Sequence, residues 1–218
     1  MPTMKLLGAI ACAILPINGL RILAYRLLGY EIRNSRIGFG TVIAVASARM
    51  EGATLGSFNL FIGPMSVTVG RGARVGNLNR FVCGFWTARG DGTARSYART
   101  LVLGRNTLIT ASHYFDVAGS FVLGDGSWIA GIGSQFWTHG AGAIDRDIEI
   151  GEECYVGSAV RFAPGSKLGA RVIVALGSVV TRPIEGSRLM IGGVPALVIK
   201  EGYDWVEADQ GQGRTSAD

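Results

Sequence analysis

His113 and His139 are the only histidines in a chain of 218 residues, and imidazole is the side chain best suited to move a proton near neutral pH. Either one has the chemistry of a general base toward a weak nucleophile. His139 stands in a Gly- and Trp-rich stretch, SQFWTHG (134–140). That composition suits a cleft wall, and it equally suits a surface histidine beside a flexible loop. His113 follows Ser112 near the end of an expected strand, where a structural corner histidine and a substrate-binding or second catalytic one are both open readings. Asp116, three residues on, is either an orienting carboxylate for an imidazole or a turn residue bonded to its own backbone. The three cysteines, Cys12, Cys83 and Cys154, have no CxxC spacing, which speaks against zinc or a redox dithiol. Their odd number speaks against a disulfide framework and for a reducing compartment. Cys154 reads as a small packed residue and not a nucleophile.

The elements that must position these side chains announce themselves by a six-residue register. Ile144, Ile150, Val156, Phe162, Leu168, Val174 and Val180 recur at that interval, mostly followed by Gly or Ala. Neither the helical period of 3.6 nor the strand period of 2 produces this spacing. A hexapeptide register is the mark of a β-helix. Earlier traces of it are Ile37-Gly38, Ile43-Ala44, Leu55-Gly56, Ile62-Gly63, Val69-Gly70 and Val75-Gly76, then Leu103, Ile109, Leu123 and Ile129. Two segments break it. One is Phe85 to Arg99, polar and basic, with Arg89, Arg95 and Arg99 and an Asp91-Gly92 turn. The other is Gly140 to Asp147. After Arg182 the repeat is expected to end, with a turn at Gly192 to Ala196.

Composition agrees. Thirty-three glycines accompany 48% hydrophobic residues, which suits many tight corners between short apolar strands and not a disordered Gly-rich chain. The net charge of +5 favours anionic partners. No cationic stripe interleaved with aromatics appears, so nucleic acid is not expected. Leu6 to Leu15 is apolar, and the apolar character continues past Pro16 to Leu28, with Arg21 and Arg26 among it. Pro16, Asn18 and Gly19 interrupt the run, making it a poor transmembrane span. Two short helical pieces are expected, the second amphipathic. Two uses suit them, a cap on the open end of the solenoid and peripheral membrane contact through residues 4–30. The domain reading is 1–35 helical cap or interfacial segment, 36–200 β-helix, and 201–218 an extension, with Gln210 to Asp218 polar enough to be disordered.

The pieces IGEECYVGS (150–158), PGSKLG (164–169), ALGSVVTRPI (175–184) and GGVPALVIK (192–200), in that order and in register, resemble the hexapeptide-repeat acyltransferases, in particular the branch with maltose and galactoside acetyltransferases. ITASHYFD (109–116) and SQFWTHG (134–140) are similar to a narrower set acting on bacterial surface polysaccharides and lipid-linked sugars. The resemblance covers residues 36–200. It implies an all-β fold, a left-handed parallel β-helix of triangular section, in a homotrimer with active sites between subunits. It implies acetyl-CoA as co-substrate and no metal. It also implies His139 as the general base, one coil before YVGS (155–158), with His113 and Asp116 as further catalytic candidates.

By the same resemblance Ser158 would meet the pantetheine arm, with Leu176 and Thr181 along it. Arg182 and Lys200 would pair with the coenzyme phosphates. Trp137, beside Phe136, and Trp86 are candidates for sugar contact. Two departures stand out. The resembling enzymes often have a small residue where Leu176 stands and a basic one where Leu197 stands. The expected reaction is O-acetylation of a sugar hydroxyl by direct transfer. An N-acetyltransferase on an amino sugar and a non-catalytic β-helix scaffold are the alternatives. A γ-class carbonic anhydrase, which shares the fold, needs three His ligands on zinc, more than this chain supplies. The expected location is the cytoplasm, within reach of the inner face of the membrane.

Overall fold

The computed structural model describes residues 3–88, 97–144 and 146–207. Short parallel strands wind into a left-handed, three-faced β-helix, the fold class expected from the register. The first face stacks Arg36–Ile37, Thr54–Leu55, Arg74–Val75, Leu108–Ala111, Trp128–Ile132, Tyr155–Val156, Ile173–Val174 and Met190–Gly193. The second face runs through Arg80–Val82, Tyr114–Asp116, Gln135–Phe136, Arg161–Phe162 and Val179–Val180. The third runs through Thr100–Leu103, Ser120–Leu123, Ile148–Ile150 and Lys167–Leu168. Two long strands, Val42–Glu51 and Leu60–Val69, pass through a corner and join the second and third faces into one sheet.

The pairing register measures the coils. Ile37 pairs with Leu55, and Val156 with Val174, eighteen residues apart, or three hexapeptides. Val75 pairs with Ile109 and Ile129 with Val156, so these two coils swell to 34 and 27 residues. The extra chain leaves the helix after the second face in both cases, at the two segments that break the sequence pattern. Arg89 and Arg95 and the Asp91-Gly92 turn lie outside the described residues, as does Gln210 to Asp218.

One inward position per face makes the core. On the second face Phe61, Phe81, Phe115, Phe136 and Phe162 stack with ring centroids 4.4, 4.4, 4.6 and 5.0 Å apart. That interval is close to the spacing of hydrogen-bonded strands, so each coil delivers its ring onto the one below. Three expectations of the register are corrected here. Ile144 is 93% exposed, because it sits on the second excursion, and Ile148 is the residue that reaches the core. Phe61 and not Ile62 points inward, a one-residue slip within the long strand Leu60–Val69. The repeat does not end at Arg182, since Met190–Gly193 adds one more strand to the first face before turning back as the antiparallel Ala196–Lys200.

A polar column fills the corner between the first and second faces. The backbone N–H of Asn59 donates to Thr41 Oγ1, that of Asn79 to Asn59 Oδ1, and that of His113 to Asn79 Oδ1. Ser134 N–H then donates to His113 Nδ1, and Val160 N–H to Ser134 Oγ. Each buried side chain thus satisfies a backbone donor of the next coil, as a buried corner requires.

The ends are closed differently. Helices α1 (Thr3–Ala13) and α2 (Asn18–Leu27) cover the first coils. Tyr25 is buried, its hydroxyl donating to the Thr41 carbonyl and accepting from Ile43 N–H. Buried Arg21 donates to the carbonyl oxygens of Ile37 and Leu15. The strand Glu31–Arg33, inside the segment expected to be helical, already pairs with Arg49 to Glu51. At the far end the chain folds back over the first face. Trp205 packs between Trp128 and Tyr155, and Asp204 pairs with Arg171 and Arg188. No described helix is long and apolar enough to cross a membrane.

Candidate active site

The register that stacks Phe115 on Phe136 brings Asp116 level with the residues just past Phe136, one coil on. Asp116 ends its strand at the corner between the second and third faces. One carboxylate oxygen, Oδ2, accepts from Thr138 N–H at 2.9 Å and lies 2.8 Å from both Thr138 Oγ1 and His139 Nδ1. Thr138 Oγ1 in turn accepts from Gly119 N–H at 2.8 Å. The Asp116 side chain is 6% exposed and that of His139 41%. Because a carboxylate only accepts, Nδ1 carries the proton and the Nε2 lone pair is presented at the open end of the ring. Asp116 is therefore not the self-bonded turn residue. It lies in a strand and holds the imidazole 23 residues downstream.

The first excursion supplies a wall. Phe85–Ala88 forms a single 3₁₀ turn after Gly84, where a Cβ would fall 2.2 Å from Trp86 Nε1. Only glycine lets the indole fold back there. Trp86 meets His139 edge-on, ring centroids 5.4 Å apart, and meets Tyr97 at 5.0 Å. Arg146, from the second excursion, places its guanidinium 4.7 Å from the Tyr97 ring centre, a cation–π distance. Arg99 donates to the Thr87 carbonyl at 3.0 Å and pins the stem of the first excursion. Tyr97 and Arg146 were not singled out by sequence reasoning. Their one signal was that both lie at the margins of the segments that break the repeat.

Of the two readings of His113, the structure shows the corner histidine, a rung of the polar column. It is 1% exposed, Nδ1 accepts from Ser134 N–H, and Nε2 meets Thr110 Oγ1 at 3.0 Å. Burial pushes its pKa down to about 4, so the ring stays neutral. Cys154 is likewise enclosed, with burial raising its thiol to about 11, and it accepts from Val172 N–H as a rung of its own corner.

The remaining candidates divide between two corners. Thr181 and Arg182 follow Val179–Val180, which pairs through Arg161–Phe162 to Gln135–Phe136. They stand exposed on the corner of His139, two coils on. Ser158 and Leu176 stand on the corner between the first and second faces, across the width of the second face. Ser158 is beside Gly131, where a Cβ would come 1.7 Å from its Oγ, and Leu176 is 79% exposed. Lys200 ends the last strand with its ammonium 4.7 Å from the Tyr203 ring centre. Trp137 packs on Tyr114 at 4.9 Å on the outer side of the second face, whereas Phe136 is in the core. Leu197, where a basic residue was the family expectation, is 53% exposed.

No protein-family model and no curated protein matches this chain. Among solved structures it is similar to the polySia specific acetyltransferase NeuO, with a TM-score of 0.50 and 17% identity over 81% of this chain and 83% of that one. It is also similar to the hexapeptide-repeat containing acetyltransferase VCA0836 from Vibrio cholerae, with a TM-score of 0.48 and 17% identity over 93% and 90%. The polysialic acid O-acetyltransferase OatWY gives 0.44 and 16% over 81% and 90%. The likeness to NeuO supports the fold, and the fold alone.

Proposed function

We propose that this chain is an acetyl-CoA-dependent O-acetyltransferase whose acceptor is a sugar hydroxyl of a bacterial surface polysaccharide or its precursor. The observation that carries the reading is the Asp116–His139 pair, a buried carboxylate fixing the tautomer of a half-open imidazole. In the reaction His139 Nε2 takes the hydroxyl proton as the sugar oxygen attacks the thioester carbonyl. A C–O bond forms, the C–S bond breaks, and the proton passes from the imidazolium to the departing thiolate. A thiolate leaves readily, so the transfer calls for one base and no covalent enzyme intermediate. Trp86 and Tyr97 offer the sugar an apolar wall beside the base.

Ser158, Leu176, Thr181, Arg182 and Lys200 would hold acetyl-CoA, the two cations toward its phosphates. The separation of these residues between two corners supports a homotrimer in which the His139 corner of one chain faces the Ser158–Leu176 corner of the next. Supply of acetyl-CoA sets the reaction in the cytoplasm.

The test is thiol release from acetyl-CoA over a panel of nucleotide sugars and glycan fragments. Removal of a general base costs about 10²- to 10⁴-fold, so His139→Ala should lose that much turnover while acetyl-CoA still binds by calorimetry. Near-normal turnover in His139→Ala refutes the base. A panel in which only amines are acetylated refutes the O-acceptor.

A further inference from the structure

The two N-terminal helices bury only one side. Ala9, Cys12 and Ala13 of α1 and Arg21 and Tyr25 of α2 pack on the first coils. On the opposite side Met4, Leu7, Ile14, Ile17, Leu23 and Leu27 are between 54% and 82% exposed. Met4 and Leu7 share one side of α1, with Ile14 just past its end, and Leu23 and Leu27 follow a helical stripe on α2. A capping layer needs an apolar inner face and a polar outer one, and here the outer face is apolar as well. A cluster of exposed apolar side chains of this kind marks an interaction site.

The charges around it choose the partner. Residues 1–30 contain Lys5, Arg21 and Arg26 and no Asp or Glu. Two open clefts flank α2, one lined by Asn18, Arg21 and Arg36, the other by Arg26, Arg33 and Tyr30. Glu31, which also borders the second cleft, is held by both nitrogens of the Arg49 fork, and Glu51 is held by Arg71. The rim is thus cationic with its nearest acids already paired. A second copy docking face to face would bring like charges together. A surface that is apolar within and anionic at its boundary matches both properties.

We propose that the outward face of α1 and α2 docks on an anionic lipid bilayer, the leucine and isoleucine side chains entering the acyl boundary and the exposed Arg26, Arg33 and Arg36 meeting headgroup phosphates. This docking is independent of the acetyl-transfer reading, because it uses no residue of the His139 corner.

Flotation of the full chain with vesicles tests it, using phosphatidylcholine mixed with phosphatidylglycerol against phosphatidylcholine alone. The wild-type chain should float with the anionic vesicles and be released by salt, since headgroup attraction is screened. Leu23→Asp with Leu27→Asp should lower the partition by at least about tenfold, because loss of even one buried apolar anchor costs that much. Arg33→Gln with Arg36→Gln should weaken binding to anionic vesicles only. Ile144→Asp, a still more exposed apolar site on the second excursion, should leave binding unchanged. Thermal melts of the variants should match wild type, since every substituted side chain is exposed. The proposal is overturned if wild type stays behind with anionic vesicles or if the double aspartate floats undiminished. It is equally overturned if the chain self-associates through this face, ignores vesicles, and is dispersed by the same aspartates.

Discussion

Asp116 Oδ2 receives the Thr138 backbone N–H and the His139 ring N–H, with the Thr138 hydroxyl also at hydrogen-bond distance. An acceptor anchored from several sides does not turn to follow its imidazole, so it fixes the ring's tautomer as well as its position. Asp116→Asn keeps an oxygen for Thr138 and can set an amide against the imidazole, which favours the wrong tautomer. Turnover should fall by about 10²- to 10⁴-fold with the KM for acetyl-CoA unchanged. A purely structural Asp116 would instead lower the melting temperature and leave kcat per folded molecule intact. The two members of this pair were visible in the sequence as residue types, and their partnership was not. Asp116 is three residues from His113 and 23 from His139, yet the coil returns it to the latter. Spacing along the chain left open which imidazole Asp116 serves, because proximity in a solenoid is counted in coils.

Elements, more than single residues, explain His113. Thr41, Asn59, Asn79, His113 and Ser134 occupy successive floors of one corner and do the same work, accepting the N–H from the next coil. Seen in that series a histidine is a larger asparagine. The column also sets a pH dependence. The folded ring has a pKa near 4, against about 6.5 for an unfolded histidine. Between those values the unfolded chain binds a proton that the folded chain refuses. Stability is therefore full above about pH 6.5 and declines as pH falls toward 4, by on the order of 3 kcal/mol from this group. His113→Asn should keep the fold, like its neighbours, and remove that part of the acid slope. Denaturant titrations at neutral and mildly acidic pH read both effects. An unchanged slope would mean that another group carries it. The repeat itself was legible from Ile150 to Val180, where one aliphatic or aromatic residue per hexapeptide fills the core. It misled at Ile144, where an excursion happened to keep count. The destination of Trp86 and Tyr97 was not legible, because an excursion obeys no period and is placed by what it meets.

At the scale of the whole molecule, the proposed assembly of the site from two corners of different chains makes a sharp prediction. His139→Ala chains and chains blocked by Leu176→Arg should each be inactive alone. Mixed trimers formed from both should recover up to about one third of wild-type activity, since one of three interfaces regains both halves. Mixtures that stay inactive after subunit exchange would put the whole site within one chain. The β-helix was legible from the period, whereas its left-handed, three-faced form was what the family resemblance implied. Which corner meets which was not legible, because that depends on surfaces the period leaves free.

The stacking of coils has one more consequence, a matter of altitude. Each coil lifts the chain by one strand spacing. The register passes from Ile37 through Leu55, Val75 and Ile109 to Ile129, four steps between the floor beside the helices and the floor of His139. At about 4.8 Å a step this is about 19 Å. With α1 and α2 resting on a bilayer, the solenoid becomes a pedestal, and His139 works at a fixed standoff from the lipid. A membrane-tethered acceptor would have to offer its hydroxyl at that height, so the number of coils beneath the histidine would select how far along a tethered glycan the acetyl group lands.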